Sequence, residues 1–434
     1  MTINVAIIGS GPAGFYAAEA LAKRRDDIRI DIIERLPTPY GLIRGGVAPD
    51  HQTTKRVVKK FEQTAFRPQV EYFGNIESGR DVSLEELREI YDAVILAVGA
   101  PSDNNPNIPG IDKIGVYGSA QFVGWYNAHP DFCDLNPDLN TEAAIVIGLG
   151  NVALDSARVL TRTEQGMAKA DLPDYATRSI RDSPIKDIYL TGRRGVEAAK
   201  FSLVELREMG ELNNTIPLVK QSQLEADLSS LDEGEARKIG RLLSILEKYS
   251  DNKADDKPKR VHFEFNASPC EILGGTHIEA IRFERTILQG SKTLGTGEFF
   301  DIPCGLAIFA TGYKAQPIEG VPFDPKRRII PNTDGRVEEG LYIVGWVKRG
   351  PVGVISSNRP DGEVVAKDIC DKYSGSSKPG RDALLGLIAE RNLRRVTFDD
   401  WKKIEAAEIA AAKGDHPRSK FFSIEDMLAV LDQS

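Results

Sequence analysis

The chain has 434 residues, 41% of them hydrophobic and 28% charged, with a formal net charge of -8. That length exceeds one typical domain, the balance excludes a disordered chain, and the acidic excess argues against nucleic acid as main partner. No apolar stretch approaches a membrane span, and a strand beginning at Ile3 leaves no room for a cleavable leader, so a cytoplasmic protein is expected.

Ile3 to Ile8 reads as a strand running into Gly9-Ser10-Gly11-Pro12-Ala13-Gly14 and a helix through about Lys23. In such a turn Gly9 allows the tight bend, Gly11 lets a pyrophosphate approach the backbone and Gly14 lets helix and strand pack closely, with Ala13 in the same amide-bearing turn. A second strand, Ile28 to Ile33, ends in Glu34, about 20 residues beyond Gly14, where a carboxylate accepts both ribose hydroxyls and repels a 2′-phosphate. That chemistry suits FAD or NAD. Tyr91 to Ala100 reads as a buried strand closing the unit, and Pro101 to Gly110 as a crossover.

Ala143 to Ile147 leads into a second fingerprint, Gly148-Leu149-Gly150-Asn151-Val152-Ala153, with Ala in place of the third Gly and a helix from near Val152. Here the next strand, Ile188 to Leu190, ends in Thr191-Gly192-Arg193-Arg194, and two guanidiniums suit a 2′-phosphate and hence NADP(H). One glycine fingerprint alone is often an ordinary strand-to-helix turn. Two correctly flanked copies with opposite second-strand chemistry point to a flavoprotein with separate FAD and NADP(H) sites.

Asp232 to Lys248 reads as a charged helix, Val261 to Phe265 and Ile278 to Glu284 as antiparallel strands, and Leu306 to Tyr313 as the strand closing the second unit. Pro317 to Pro325 reads as the return crossover. The expected fold is therefore α/β with two Rossmann-like domains, an NADP domain at 106–324 inserted into an FAD domain of 1–105 and 325–434. In the last part a strand, Gly340 to Trp346, precedes Gly350 to Ile355, which turns the chain into a helix and makes the second approach to the flavin. Ser374 to Gly380 reads as a polar linker, and capping patterns start helices at Thr397 and Ser423. Cys133, Cys270, Cys304 and Cys370 are too scattered for a redox pair or an iron-sulfur ligand run, which disfavours a disulfide reductase, and no metal site is expected.

The segments Leu36 to His51, Gly150 to Asp155, Gly192 to Gly195, Glu205 to Glu208 and Gly345 to Ile355 together make the chain resemble the adrenodoxin reductase-like branch of the ferredoxin-NADP reductases, over most of its length. The resemblance implies hydride transfer from NADPH to flavin N5 and single-electron transfer to ferredoxin or flavodoxin. It implies FAD contacts at Glu34, Leu42, Val82, Trp346, Gly353, Val354 and Ile355, and NADP contacts at Leu149, Asn151, Val152, Arg193, Arg194 and Glu205, with Gly353 beside the nicotinamide. It also suggests His51 and Glu208 as a catalytic pair, although a histidine after Asp is ordinarily a surface or capping residue. Leu149 stands where many members carry Gln, and Ser356 to Pro360 departs from the family pattern. Arg207, Arg237 and Arg241, with Lys238, are candidate cations for docking an acidic carrier, set against the ordinary reading of such a run as a solvated helix face. Other readings are a glutamate synthase small-subunit type, a flavin monooxygenase, and a redox-inactive protein that binds both nucleotides.

Overall fold

Strand alternation decides where both cores lie. In the first strand Ile3, Val5 and Ile7 enter one apolar cluster while Ala6 and Ile8 enter another on the opposite face, so both sides of the strand are covered. Ala144 and Val146 against Ile145 and Ile147 repeat the pattern further along the chain. A strand buried on both faces must be apolar throughout, which is the mark of a parallel sheet packed between layers. Full burial of each such Ile or Val contributes about 1.5–3 kcal/mol.

The computed structural model describes residues 2–226, 228, 231–290, 292–375 and 378–433. Of the expected linker at Ser374 to Gly380, positions 376 and 377 lie outside the described residues. The chain divides into two units. The first runs through Ser102, takes back Asn127–Cys133 and resumes at Tyr313; the second comprises Asp103–Tyr126 and Asp134–Gly312.

The first unit holds a six-stranded sheet in the order Arg336–Glu338, Leu341–Ile343, Ala93–Leu96, Ile3–Ile8, Ile28–Glu34, Val70–Gly74. Only the outermost pair, Arg336–Glu338 with Leu341–Ile343, is antiparallel. Ile8 pairs with Ile33 on one side and Leu96 on the other, so the carboxyl ends of three strands finish level at Gly9, Glu34 and Ala97. Helix Pro12–Arg24 follows the first strand. At the far end of the chain, Thr397 forms a capping box with Asp400 at the start of helix Phe398–Ala410, and Ser423 caps Ile424–Asp432.

The second unit holds six parallel strands in the order Val116–Gly118, Leu306–Phe309, Ala143–Ile147, Asp187–Thr191, Lys259–Glu264, Thr215–Val219. One face packs against helices that include Ser119–Tyr126, Asn151–Thr161, Leu203–Gly210 and Glu233–Ser250. The other is covered by an antiparallel sheet of Ala267–Leu273, Ala280–Gln289 and Lys292–Pro303, which inserts Ile281, Phe283 and Ile302 against Ile145, Ile147 and Phe309. Helix Glu233–Ser250 is capped by Asp232, whose side chain accepts from Glu235 N at 2.9 Å.

One expectation is corrected, and the compact units differ in detail from the expected domains. The strand expected at Val261 to Phe265 as antiparallel is parallel to both neighbours, Asp187–Thr191 and Thr215–Val219; its partners are set by the sheet it joins and not by its own pattern. The compact units break at Ser102 and Gly312, where 105 and 324 were expected, and Ala315, Val321 and Ile330 are buried in the first unit's core. Asn127–Cys133, expected inside the insertion, belongs to the first unit, where Arg35 holds Asp131 in a paired hydrogen bond and the His129 ring lies against Gly45.

Candidate nucleotide sites

Each glycine turn separates what the fold needs from what a ligand needs. A Cβ on Gly9 would stand 2.6 Å from the Ala97 carbonyl oxygen, and one on Gly14 would overlap the Gly9 carbonyl. A Cβ on Gly11 would meet nothing within 4 Å. Gly11 is also the N-cap of helix Pro12–Arg24 and supplies no side-chain cap, so the first-turn amides, Ala13 among them, are left for an anion. Glu34, at the end of the second strand, accepts from Ser10 N at 3.0 Å and Ser10 Oγ at 2.7 Å, which sets its carboxylate beside the turn.

Around the same unit's strand ends the other expected FAD contacts differ among themselves. Leu42 is 42% exposed at the start of a short helix, Leu42–Gly45. Trp346 opens helix Trp346–Arg349, so the strand expected to Trp346 ends at Ile343, and its ring stacks on Tyr313 at 5.6 Å between centroids. Gly353 is exposed at φ +94°, between Val352 and Val354, which are 61% and 66% exposed. Ile355 begins a 3-10 turn that leads into helix Arg359–Lys372. Val82 is 1% exposed and its carbonyl is taken by Gly79 N–H, so its side chain belongs to the core. Asp361 had no sequence signal: it accepts from Gly345 N at 3.1 Å, pairs with Lys348 at 3.0 Å and also holds Arg349, fixing the loop that carries Trp346 and Gly353.

The second turn repeats the first. A Cβ on Gly148 would overlap the Ala310 carbonyl, whereas one on Gly150 would meet nothing within 4 Å. Gly150 caps helix Asn151–Thr161 without a side chain, and Ala153 packs fully buried in the third position. The loop before helix Leu203–Gly210 folds onto this turn: Ser202 N donates to Asn151 Oδ1 at 2.8 Å and Lys200 N to the Leu149 carbonyl at 2.7 Å. Leu149 lies against Gly192, and Val152 is half-buried. Arg193 and Arg194 are exposed, and neither guanidinium is paired with a carboxylate among the described residues. Their backbone is held nonetheless, by Thr286 Oγ1 to the Arg193 carbonyl at 2.7 Å and Asn266 N to the Arg194 carbonyl at 3.2 Å.

These residues suit two nucleotides of different kinds. The pyridine nucleotide-disulphide oxidoreductase model matches residues 3–182. A mitochondrial NADPH:adrenodoxin oxidoreductase of Arabidopsis thaliana is 39% identical over 98% of this chain and 95% of its own. The NADPH-ferredoxin reductase FprA of Mycobacterium tuberculosis is 39% identical over 98% of both chains, and its structure in complex with NADPH superposes with a TM-score of 0.93 over 99% of both. The chain belongs to the adrenodoxin reductase-like family of NADPH-ferredoxin reductases. It is an oxidoreductase of that family, with FAD and NADP(H) as cofactors. The four cysteines are free thiols.

Among the reductase's remaining candidate residues, His51 lies in the first unit, as N-cap of the short helix Gln52–Lys55, with its N–H on the Ala48 carbonyl at 3.0 Å. Glu205 and Glu208 lie one turn apart on helix Leu203–Gly210 of the second unit, where Ser202 Oγ caps Glu205 N at 3.1 Å. Behind them Arg158, 1% exposed, pairs with Asp155 at 2.6 Å. Burial first, and then the Asp155 carboxylate, push the Glu205 carboxyl up to about 8, against the pull of Arg158. A carboxyl that holds its proton more tightly folded than unfolded contributes stability at acidic pH, and loses it as pH rises from the ordinary carboxylate range through about 8. Thermal melts of Glu205→Gln should therefore decline less than wild type between about pH 5 and 8. Parallel curves for the two proteins would remove this assignment.

Proposed function

We propose that the first unit holds FAD, the second NADP(H), and that electrons pass between NADPH and a one-electron carrier, ferredoxin or flavodoxin, in the cytoplasm. The observation that carries this is the pair of glycine turns, each with its middle glycine facing open space, one followed by Glu34 and the other by Arg193 and Arg194. Bound FAD supplies an acceptor of hydride at N5 that can pass electrons on singly, which matches a two-electron donor to a one-electron acceptor.

The chain's own residues bind and orient. Amides of the Gly11 and Gly150 turns would hold the two pyrophosphates, Glu34 the FAD ribose, and Arg193 with Arg194 the 2′-phosphate. Exposed Gly353 would lie beside the nicotinamide, and Trp346 would shield the flavin. His51 would orient the nicotinamide or relay a proton, and Glu208 would serve as a proton acceptor.

Arg237 and Arg241 are exposed one turn apart on helix Glu233–Ser250, and Arg207 is exposed on the neighbouring helix Leu203–Gly210. Tyr249 OH reaches the Leu206 carbonyl at 2.5 Å and ties the two helices together. This cationic face steers an acidic carrier. Replacing all three arginines by alanine is expected to raise KM for ferredoxin about tenfold at low salt and to leave NADPH oxidation by ferricyanide unchanged. Equal loss in both assays would place these residues elsewhere in the cycle.

The deciding experiment is NADPH-driven reduction of cytochrome c by the purified protein with and without ferredoxin. A large ferredoxin-dependent increase supports the reading. No increase, with the flavin still bleached by NADPH, overturns the carrier and moves the acceptor to an organic substrate or another protein.

A further inference from the structure

The loop that crosses the first glycine turn is held from behind by the C-terminal helices. Tyr40 N donates to the Ser10 carbonyl at 3.0 Å, and a Cβ on Gly41 would stand 3.0 Å from Gly11 Cα, so this loop packs directly against the Gly11 turn. Tyr40 is buried at φ +84°, a conformation that a bulky residue keeps only when its surroundings impose it. Its ring meets Trp401 edge-on at 6.0 Å, and the Arg44 guanidinium lies over the same Trp401 ring at 5.3 Å.

Trp401 and Glu408 stand two turns apart on helix Phe398–Ala410, hence on one face, and both are 0% exposed. The Glu408 carboxylate takes both ends of the Arg44 fork, Nη1 at 2.9 Å and Nη2 on its other oxygen. It also accepts from Phe421 N at 3.0 Å and pairs with Arg418 at 3.5 Å. Lys420, itself buried, places Nζ 3.2 Å from the Arg44 carbonyl and 3.3 Å from the Asn127 carbonyl. Arg44 is thus gripped at side chain and backbone by one C-terminal segment.

A buried ion pair is a poor way to gain stability, since well-packed apolar groups of the same volume often do as well. What a bidentate Arg–carboxylate pair does supply is fixed orientation. Here it fixes the four-residue turn, Leu42–Gly45, that begins with exposed Leu42.

We propose that Glu408 is a positioning residue for the flavin site: through Arg44 it holds the Tyr40–Arg44 loop over Gly11 in the shape that FAD requires. The inference rests on FAD occupying the first unit's turn. The C-terminal helices then act on the cofactor without touching it.

The test compares wild type, Glu408→Gln and Arg44→Lys, with Asp432→Asn as a control that breaks the exposed Arg394–Asp432 bridge in the same helical region. Each apoprotein is titrated with FAD by fluorescence quenching, and the visible circular dichroism of the bound flavin is recorded at saturation. Glu408→Gln should raise the FAD Kd about tenfold or more and alter the flavin spectrum; Arg44→Lys, which keeps the charge and loses the fork, should show the same changes at smaller size, and the control neither. Should Glu408→Gln fail to fold, Arg44→Lys decides. Wild-type Kd and spectrum in the folded variants, even with a lowered Tm, would overturn the proposal alone. A wild-type apoprotein that binds no FAD would overturn the cofactor assignment and this proposal with it.

Discussion

With alanine at both Arg193 and Arg194, kcat/KM for NADPH is expected to fall by about 10²- to 10⁴-fold while kcat/KM for NADH changes less than about threefold. Each guanidinium would make charge-assisted hydrogen bonds to the 2′-phosphate, worth about 1.5–3 kcal/mol apiece, and each 1.4 kcal/mol is a factor of ten. Nothing in the protein competes for them, since neither is paired with a carboxylate among the described residues. Nor should the loop collapse when they are removed, because Thr286 and Asn266 hold its carbonyls and not its side chains. Steady-state kinetics with both nucleotides separates the possibilities. An equal fall with NADH would mean that the loop itself had moved, and an unchanged NADPH rate would place the phosphate elsewhere.

What could be read from the sequence was whatever is local in the chain. The two glycine turns, the acid in one following strand and the arginines in the other are short-range chemistry, and the structure puts Glu34 beside its turn and leaves Arg193 and Arg194 exposed beyond theirs. The caps Thr397 and Ser423 are local in the same sense. Strand partners are not. Lys259–Glu264 alternates like a hairpin strand yet joins a parallel sheet, and Thr215–Val219 carries Pro217, which only the sheet edge it occupies can tolerate. The proline-rich stretch after Tyr313 signalled a loop, but loop chemistry does not say which core Ala315 and Val321 enter. Asp361 and Glu408 were invisible for a related reason: their partners Gly345 and Arg44 become neighbours only once helices have packed, and no spacing rule connects them.

The strongest separation of fold from function lies in the glycines. Gly11→Val should yield a folded, colourless protein with no reductase activity, and Gly150→Val a folded, yellow protein whose affinity for NADPH is lower by about 10³-fold or more. Both positions have extended backbone, φ -72° and -120°, which valine adopts readily, and a Cβ at either meets no protein atom within 4 Å. The added side chain therefore starts into the open space where the pyrophosphates would lie. Gly14→Ala is the contrasting case: its Cβ would overlap the Gly9 carbonyl, and the cost falls on folding, at about 1–3 kcal/mol of overpacking. Visible absorbance, far-ultraviolet circular dichroism and NADPH titration of the three variants read these effects independently. If Gly150→Val lost the flavin and Gly11→Val kept it, the assignment of nucleotides to the two units would have to be exchanged. If either valine variant bound both nucleotides normally, the open space above its turn would not be a phosphate site at all.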